Sequence, residues 1–286
     1  MLKRDKIPLG FTPIKRWAGR YRAYLGSELL GANRDLKIFV KSPDIRQHGV
    51  SVIKQEDDRA VFHVEPVNAL VKFNRLKRWR FRYAKGFSIP TEKNCLVDEF
   101  VNLCKLSNSA LAPKVYGYGY KRSFGALIEE CIFIEFLDGA SALEAQLQNG
   151  SWSPAKALEA VIGLFGRMVD EGFCHLDPHP ENIMVMPSGE LKFIDFEGCS
   201  FGVSERYFSL AFCLGRFYRF WFKLYMTERE YDDVVTCFAR TSGLDAKFHM
   251  LYHRFKHENV SRRLVNRCFA DEAARYSFIQ ETAATA

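Results

Sequence analysis

Apolar and polar residues alternate through much of the first half of the chain, and the period then changes. Val50–Gln55 and Ala60–Glu65 flank a polar turn, Glu56-Asp57-Asp58-Arg59, and Ala69–Phe73 follows Pro66, which ends the strand before it. These segments predict an antiparallel meander, in a region that opens with the short apolar run Leu36–Val40. A basic stretch, Asn74–Lys85, comes next, punctuated by Gly86, Ser88 and Pro90. Apolar residues at Leu96, Val97, Phe100, Val101, Leu103, Cys104 and Leu106 then predict an amphipathic helix over Cys95–Leu106, stopped by Ala112-Pro113. Lys114–Tyr120 and Ala126–Phe136 complete a five-stranded sheet with one helix, and Asp138-Gly139 breaks the last strand.

From there the pattern is helical. Ser153 as cap and Pro154 in the first turn start a helix that runs to about Glu171, and Gly172 ends it. Asn182–Met186 and Leu191–Phe196 form a hairpin around Pro187-Ser188-Gly189, and the chain from about Ser204 is helical in pattern and rich in aromatics. The expectation is an α+β chain with two lobes. Residues 1–136 form a lobe of antiparallel sheet plus one helix behind a basic N-terminal segment. Residues 137–286 form a mostly helical lobe, with a hinge near Glu135–Ala140.

Composition adds exclusions. At 286 residues and 48% hydrophobic the chain has ample material for a core. Its eight cysteines contain no CxxC pair, so no zinc site or disulfide framework is indicated. Cys131, Cys174 and Cys213 lie in apolar runs and read as reduced core residues, which favours the cytoplasm. The N-terminus lacks the apolar core of a signal peptide. The apolar stretch Tyr207–Tyr225 is interrupted by Arg216, Arg219 and Lys223, whereas a spanning helix needs about twenty nearly uncharged residues. The net charge of +7 is concentrated, together with aromatics, in Lys15–Tyr24 and Lys72–Lys85. Such stretches suit an anionic membrane surface or a phosphorylated glycolipid, and equally a solvated basic face. Nucleic acid is not expected as a partner.

The chemistry is concentrated in His175-Leu176-Asp177-Pro178-His179-Pro180-Glu181-Asn182, followed by Phe193-Ile194-Asp195-Phe196-Glu197-Gly198. Phosphoryl transfer needs a carboxylate to orient or deprotonate the attacking hydroxyl, and oxygen ligands for the magnesium that neutralises the triphosphate. Asp177 suits the first role, and Asn182 and Asp195 suit the second. The hairpin between them brings both metal ligands to one edge of a cleft.

These segments resemble the protein-kinase-like superfamily, with its H-x-D-x-x-x-x-N catalytic loop and D-F-G metal loop. The resemblance implies a bilobal kinase-like fold using ATP and Mg2+. Ala69-Leu70-Val71-Lys72 is similar to the third-strand V-A-I-K, whose lysine meets the α- and β-phosphates. Its acidic partner is expected on the following helix. Glu99 shares a face with Leu96 and Leu103, while its rival Asp98 lies about 100° away. Glu135 and Leu137 stand where a kinase hinge offers backbone groups to adenine, and Asp138 where a ribose hydroxyl is met. An Asp-Gly turn accounts equally well for Asp138-Gly139.

The departures are also informative. No G-x-G-x-x-G occurs, and the candidate loops are the acidic turn Glu56–Arg59 and Ser42–Gly49. Leu176 stands where regulated kinases carry an arginine, no A-P-E follows, and Phe196-Glu197 replaces Phe-Gly. Regulation by loop phosphorylation is therefore not expected. Asp177-Pro178-His179-Pro180-Glu181-Asn182, the basic run after the third strand, and Ala112-Pro113-Lys114-Val115-Tyr116-Gly117 look like bacterial lipopolysaccharide core heptose kinases. That likeness implies transfer of the ATP γ-phosphate to a heptose hydroxyl of the inner core, or to another hydroxyl-bearing acceptor, at the inner face of the inner membrane. Peripheral contact with anionic lipid would then involve Arg75, Lys77, Arg78, Arg80 and Arg82, with Trp79 and Tyr83. The alternative is that Trp79, Phe81 and Tyr83 pack against the sheet. The rival functions are a small-molecule phosphotransferase of the aminoglycoside or choline type, an atypical Ser/Thr protein kinase, and a kinase-fold binding module without catalysis.

Overall fold

A computed structural model of the chain describes residues 10–17, 21–30, 49–76, 96–124, 126–203 and 205–285. The run Leu36–Val40, most of the Ser42–Gly49 loop, and the basic-aromatic residues 77–85 lie outside them. The chain forms two compact units, Met1–Asp138 and Gly139–Ala286.

The first unit is built on strands β1 (Thr12–Trp17), β2 (Tyr21–Leu25), β3 (Val50–Gln55), β4 (Arg59–Val64), β5 (Ala69–Arg75), β6 (Val115–Ser123) and β7 (Ala126–Glu135), with helices α1 (Ser27–Leu30) and α2 (Leu96–Lys105). Their order in one antiparallel sheet is β1-β2-β6-β7-β5-β4-β3. Among the described residues the sheet therefore has seven strands rather than the five expected. The additional pair comes from the N-terminal basic-aromatic segment. Its charges hid a period of two: Tyr21, Ala23 and Leu25 are buried while Arg22 between them is exposed. One tyrosine of this segment serves the fold: Tyr21 is in the core and its hydroxyl donates to Glu129.

The two faces of the sheet have different coverings. Phe62, Val64, Val71, Phe73, Cys131 and Phe133 join Tyr21, Ala23, Leu25 and Leu29 in one apolar cluster. The opposite face carries Lys72, Ile132 and Tyr118 in register across β5, β7 and β6. Helix α2 covers that face, with Leu96, Phe100 and Leu103 buried and the Phe100 ring stacked on Tyr118 at 5.4 Å. Each such side chain contributes about 2–3 kcal/mol by leaving water.

In the second unit β8 (Ser141–Ala142) leads into α3 (Leu143–Gln148) and α4 (Pro154–Asp170). The Ser153 side chain accepts from the Lys156 amide at the start of α4, and Pro154 occupies the first turn. Strands β9 (Phe173–His175), β10 (Ile183–Val185), β11 (Leu191–Phe193) and β12 (Cys199–Phe201) follow. They pair as β11-β10-β8 and β12-β9, so the expected hairpin gains a third strand and a second small ribbon forms beside it. Helices α5 (Arg206–Phe220), α6 (Glu228–Thr241), α7 (Ala246–His257), α8 (Arg262–Ala270) and α9 (Glu272–Thr285) complete the unit. Phe208, Phe212, Phe255, Phe269 and Phe278 pack their rings edge-on or stacked at 5.0–6.2 Å. Helices α5 and α7 touch at Gly215, where a Cβ would stand 2.8 Å from both the Phe255 Cβ and the Tyr252 carbonyl oxygen. Among the described residues no helix is long and apolar enough to cross a membrane.

Candidate active site

In the first unit, Lys72 projects from the β5 face that α2 covers. Its Nζ lies 2.7 and 3.0 Å from the two carboxylate oxygens of Glu99. Glu99 is fully buried within the apolar stripe of α2, whereas Asp98 is exposed. A buried carboxylate at this depth is stable only when paired, and the lysine supplies the pair.

A second buried acid holds the helix in place. Glu130, also fully buried, accepts from the Leu96 amide at the start of α2, from Asn74 Nδ2 and from the Tyr118 hydroxyl, at 3.0–3.3 Å. A carboxylate on the first amide of a helix satisfies a donor with no partner inside the helix and meets the positive end of its dipole. Glu130 thus sets where Glu99 stands. In the sequence Glu130 is marked only as an acid inside an apolar strand.

At the end of β7 the Glu135 amide donates to the Lys114 carbonyl and the Phe136 amide to Asn68, while the Glu135 carboxylate accepts from the Lys114 amide. Leu137 is half-buried, and its amide has no hydrogen-bond partner among the described residues. Asp138 is exposed and accepts from Asn68 Nδ2 at 3.3 Å. Asn68 itself has a left-handed backbone, φ 43°, and meets His63, whose ring lies 3.7 Å from that of Phe136. The acidic turn after β3 is closed by the Glu56 amide donating to the Arg59 carbonyl at 2.7 Å, and it offers no glycine to a phosphate.

The second unit brings Asp177, Asn182 and Asp195 together through two residues. Asn182 is almost fully buried; its Nδ2 donates to the Asp177 carbonyl at 3.1 Å, and its own carbonyl accepts from the Ile194 amide at 2.9 Å. His175 is fully buried. Its Nδ1 accepts from the Asp177 amide at 3.2 Å, so Nε2 carries the proton and donates to the Ile194 carbonyl at 3.0 Å. Burial lowers the His175 pKa from the ordinary 6.5, which keeps the ring neutral and this tautomer in place. The ring stacks on Phe193 at 5.2 Å and meets the edge of Phe196 at 5.3 Å. His175 began the motif in the sequence, but nothing in one dimension showed that it binds both loops.

Asp195 adopts φ 65°, the left-handed region that costs a residue with a Cβ about 1 kcal/mol or more. Phe196, fully buried against Phe173 and Phe193, anchors the backbone there. Asn182 and Asp195 offer hard oxygen donors, an amide oxygen and a carboxylate, which is the set that suits magnesium. With Nδ2 of Asn182 committed to the Asp177 carbonyl, the amide is oriented with its oxygen as the remaining acceptor. Cys131, Cys174 and Cys213 are all buried, with the Sγ atoms of Cys174 and Cys213 3.6 Å apart as free thiols.

Over 169 residues the chain is 24% identical to an uncharacterised protein of Synechocystis sp., a match covering 53% of this chain and 40% of that protein. Among solved structures, WbdD in complex with a kinase inhibitor matches at 18% identity and a TM-score of 0.46, over 71% of this chain and 43% of the other. A high-resolution structure of WbdD matches at 18% identity and a TM-score of 0.47, over 82% and 50%. The chain thus spans half or less of the length of each of these relatives. The model of the Lipopolysaccharide kinase (Kdo/WaaP) family matches residues 39–236.

Proposed function

Because the chain belongs to the lipopolysaccharide kinase (Kdo/WaaP) family, we propose that it transfers the γ-phosphate of ATP to a sugar hydroxyl of the lipopolysaccharide inner core, with a heptose as acceptor. The observation that carries this reading beyond the family is the set of ties within and between the catalytic and metal loops, Asn182 to both Asp177 and Ile194 and His175 to both Asp177 and Ile194. A scaffold has no need to hold an acid, an amide and a second acid in register at the expense of a strained Asp195 backbone.

In this reading Asp177 accepts a hydrogen bond from the acceptor hydroxyl, aims its oxygen, and takes its proton as the bond to phosphorus forms. Asn182 and Asp195 would hold magnesium, which when bound neutralises charge on the nucleotide phosphates. Lys72 pairs with those phosphates and is kept extended by Glu99, whose position Glu130 sets. The backbone at Glu135 and Leu137 takes the adenine, with Leu137 supplying the open amide, and Asp138 turns from Asn68 to the ribose. The reaction would take place at the inner face of the inner membrane, with peripheral contact to anionic lipid.

The experiment is transfer from γ-labelled ATP to inner-core oligosaccharide, with mass spectrometry of core oligosaccharide from cells with and without the protein. A phosphate on heptose that depends on the protein and on Asp177 supports the proposal. An unchanged core, with no labelled sugar in vitro, would overturn it.

A further inference from the structure

Helix α5 runs alongside the catalytic loop, and two contacts bracket the alignment. Cys213 meets Cys174 at 3.6 Å, and the Trp221 ring lies 5.4 Å from that of His179. Between these points the helix carries Arg216, beside the chain that leads through Leu176 to Asp177, and Arg219 follows on the side that meets α7. A third arginine arrives from another element. Arg262, the first residue of α8, places Nη2 3.9 Å from where a Cβ on Gly198 would stand, and Gly198 accepts from the Leu176 amide through its carbonyl.

None of the three arginines forms an ion pair among the described residues, unlike Arg206, Arg254 and Arg275 of the same unit. Arg216 Nε is shielded from solvent and has no hydrogen-bond partner among the described residues. Its guanidinium lies between the Phe212 and Phe220 rings, 5.4 and 4.7 Å from their centroids, which fixes its direction without neutralising it. Arg219 lies over Phe220 and, among the described residues, donates only to the Lys256 carbonyl at 3.5 Å. Arg262 stands at the positive end of its helix, with no acid in the first turn to compensate. Burial pushes the pKa of Arg216 down from its ordinary value, the Asp177 carboxylate raises it, and Arg262 and Arg219 lower it further. These groups therefore share one electrostatic neighbourhood.

We propose that Arg216, with Arg262 and Arg219, is the receptor for an anionic substituent of the acceptor, a carboxylate or a phosphate borne close to the hydroxyl that Asp177 addresses. Guanidinium groups suit this task because their planar donors engage two oxygens at once and desolvate at less cost than an ammonium. The unsatisfied Arg216 Nε would gain its missing acceptor from the bound anion. The inference rests on the phosphotransferase reading of Asp177, and it makes the acceptor's charge a determinant of specificity.

The test compares three synthetic heptosides as acceptors: one bearing a carboxylate, its methyl ester, and one bearing a phosphate monoester. Wild-type protein should favour the charged forms. Arg216→Gln and Arg262→Gln should each lower the ratio of kcat/KM for charged over esterified acceptor by about 10- to 100-fold, the loss expected for a hydrogen bond to a charged group. Arg216→Lys should restore part of that ratio. Which charged arm responds identifies the anion. Arg262 is exposed, so its variant separates anion binding from any folding defect at Arg216. Calorimetric titration with glucuronate and with inorganic phosphate covers the case in which no heptoside is phosphorylated. Saturable binding lost in both Gln variants would keep the receptor while overturning the heptose reading. A ratio unchanged in both variants, or no anion binding by the wild type, would overturn the receptor itself.

Discussion

Replacing His175 by phenylalanine separates ring packing from hydrogen bonding at the centre of the second unit. The new ring can keep the stack on Phe193 and the edge contact with Phe196. It cannot accept from the Asp177 amide or donate to the Ile194 carbonyl. Leaving a buried polar group without its partner costs about 1–3 kcal/mol, and two are affected. The more apolar ring recovers about 1–2 kcal/mol, leaving a net loss of about 0–5 kcal/mol, with a mid-range of about 2–3 kcal/mol, in a total of about 5–15 kcal/mol. Urea unfolding should show this as a lower midpoint with an unchanged slope. Turnover should fall more steeply than stability, because a shift of about 1 Å between Asp177 and the Ile194–Asp195 segment can cost about 100-fold in rate. The pH dependence gives a second reading, taken in EDTA so that no metal titrates with the ring. Burial lowers the folded pKa below the unfolded 6.5, so the unfolded chain binds more protons between those two values. Wild-type stability is full above pH 6.5 and declines as pH falls through this window, by at most about 1.4 kcal/mol per pH unit for one proton. The His175→Phe variant lacks that proton, so the gap between the two proteins should narrow on acidification. Equal midpoints with unchanged turnover, or a gap constant from about pH 7 to about pH 5, would refute the role given to His175.

Asp177→Ala should abolish phosphoryl transfer while ATP affinity is kept, as measured by labelled transfer and calorimetry; near wild-type turnover would remove Asp177 from its role. Asp195→Ala should lose the magnesium-dependent part of nucleotide binding, and a thermal shift with ATP that remains sensitive to magnesium would count against it. Glu99→Gln removes the buried carboxylate charge that meets the Lys72 ammonium and should cost about 3 kcal/mol in stability together with a large loss of turnover. An unchanged Tm would show that the pair is dispensable. Gly215→Ala forces α5 away from α7, against atoms at 2.8–2.9 Å, and should cost about 1–3 kcal/mol or more. Gly163→Ala, on an open helical surface, should stabilise by up to about 1 kcal/mol, and the same sign for both would contradict the packing.

The readings that depended only on nearby residues were available in one dimension. The spacing from Asp177 to Asn182 to Asp195, the strand carrying Lys72, and the helical face that favours Glu99 over Asp98 follow from local periodicity, because a strand repeats every two residues and a helix every 3.6. The α+β order of a sheet-rich first half and a helical second half was legible for the same reason. The β1–β2 pair was missed because its basic residues dominated the composition while its alternation was short. Other features arise only from segments that are distant in sequence. Glu130 reaches the start of α2 across 34 positions, His175 bonds Ile194 across 19, and α5 lies along the catalytic loop by way of Cys174 and Cys213, 39 apart. Nothing local marks Arg216 as unpaired, since an arginine in an aromatic helix reads the same whether or not a carboxylate faces it. The sequence determined which chemical groups this protein has and the short spacings among them. Only long-range packing decided which buried groups found partners, and it left Arg216 Nε without one among the described residues.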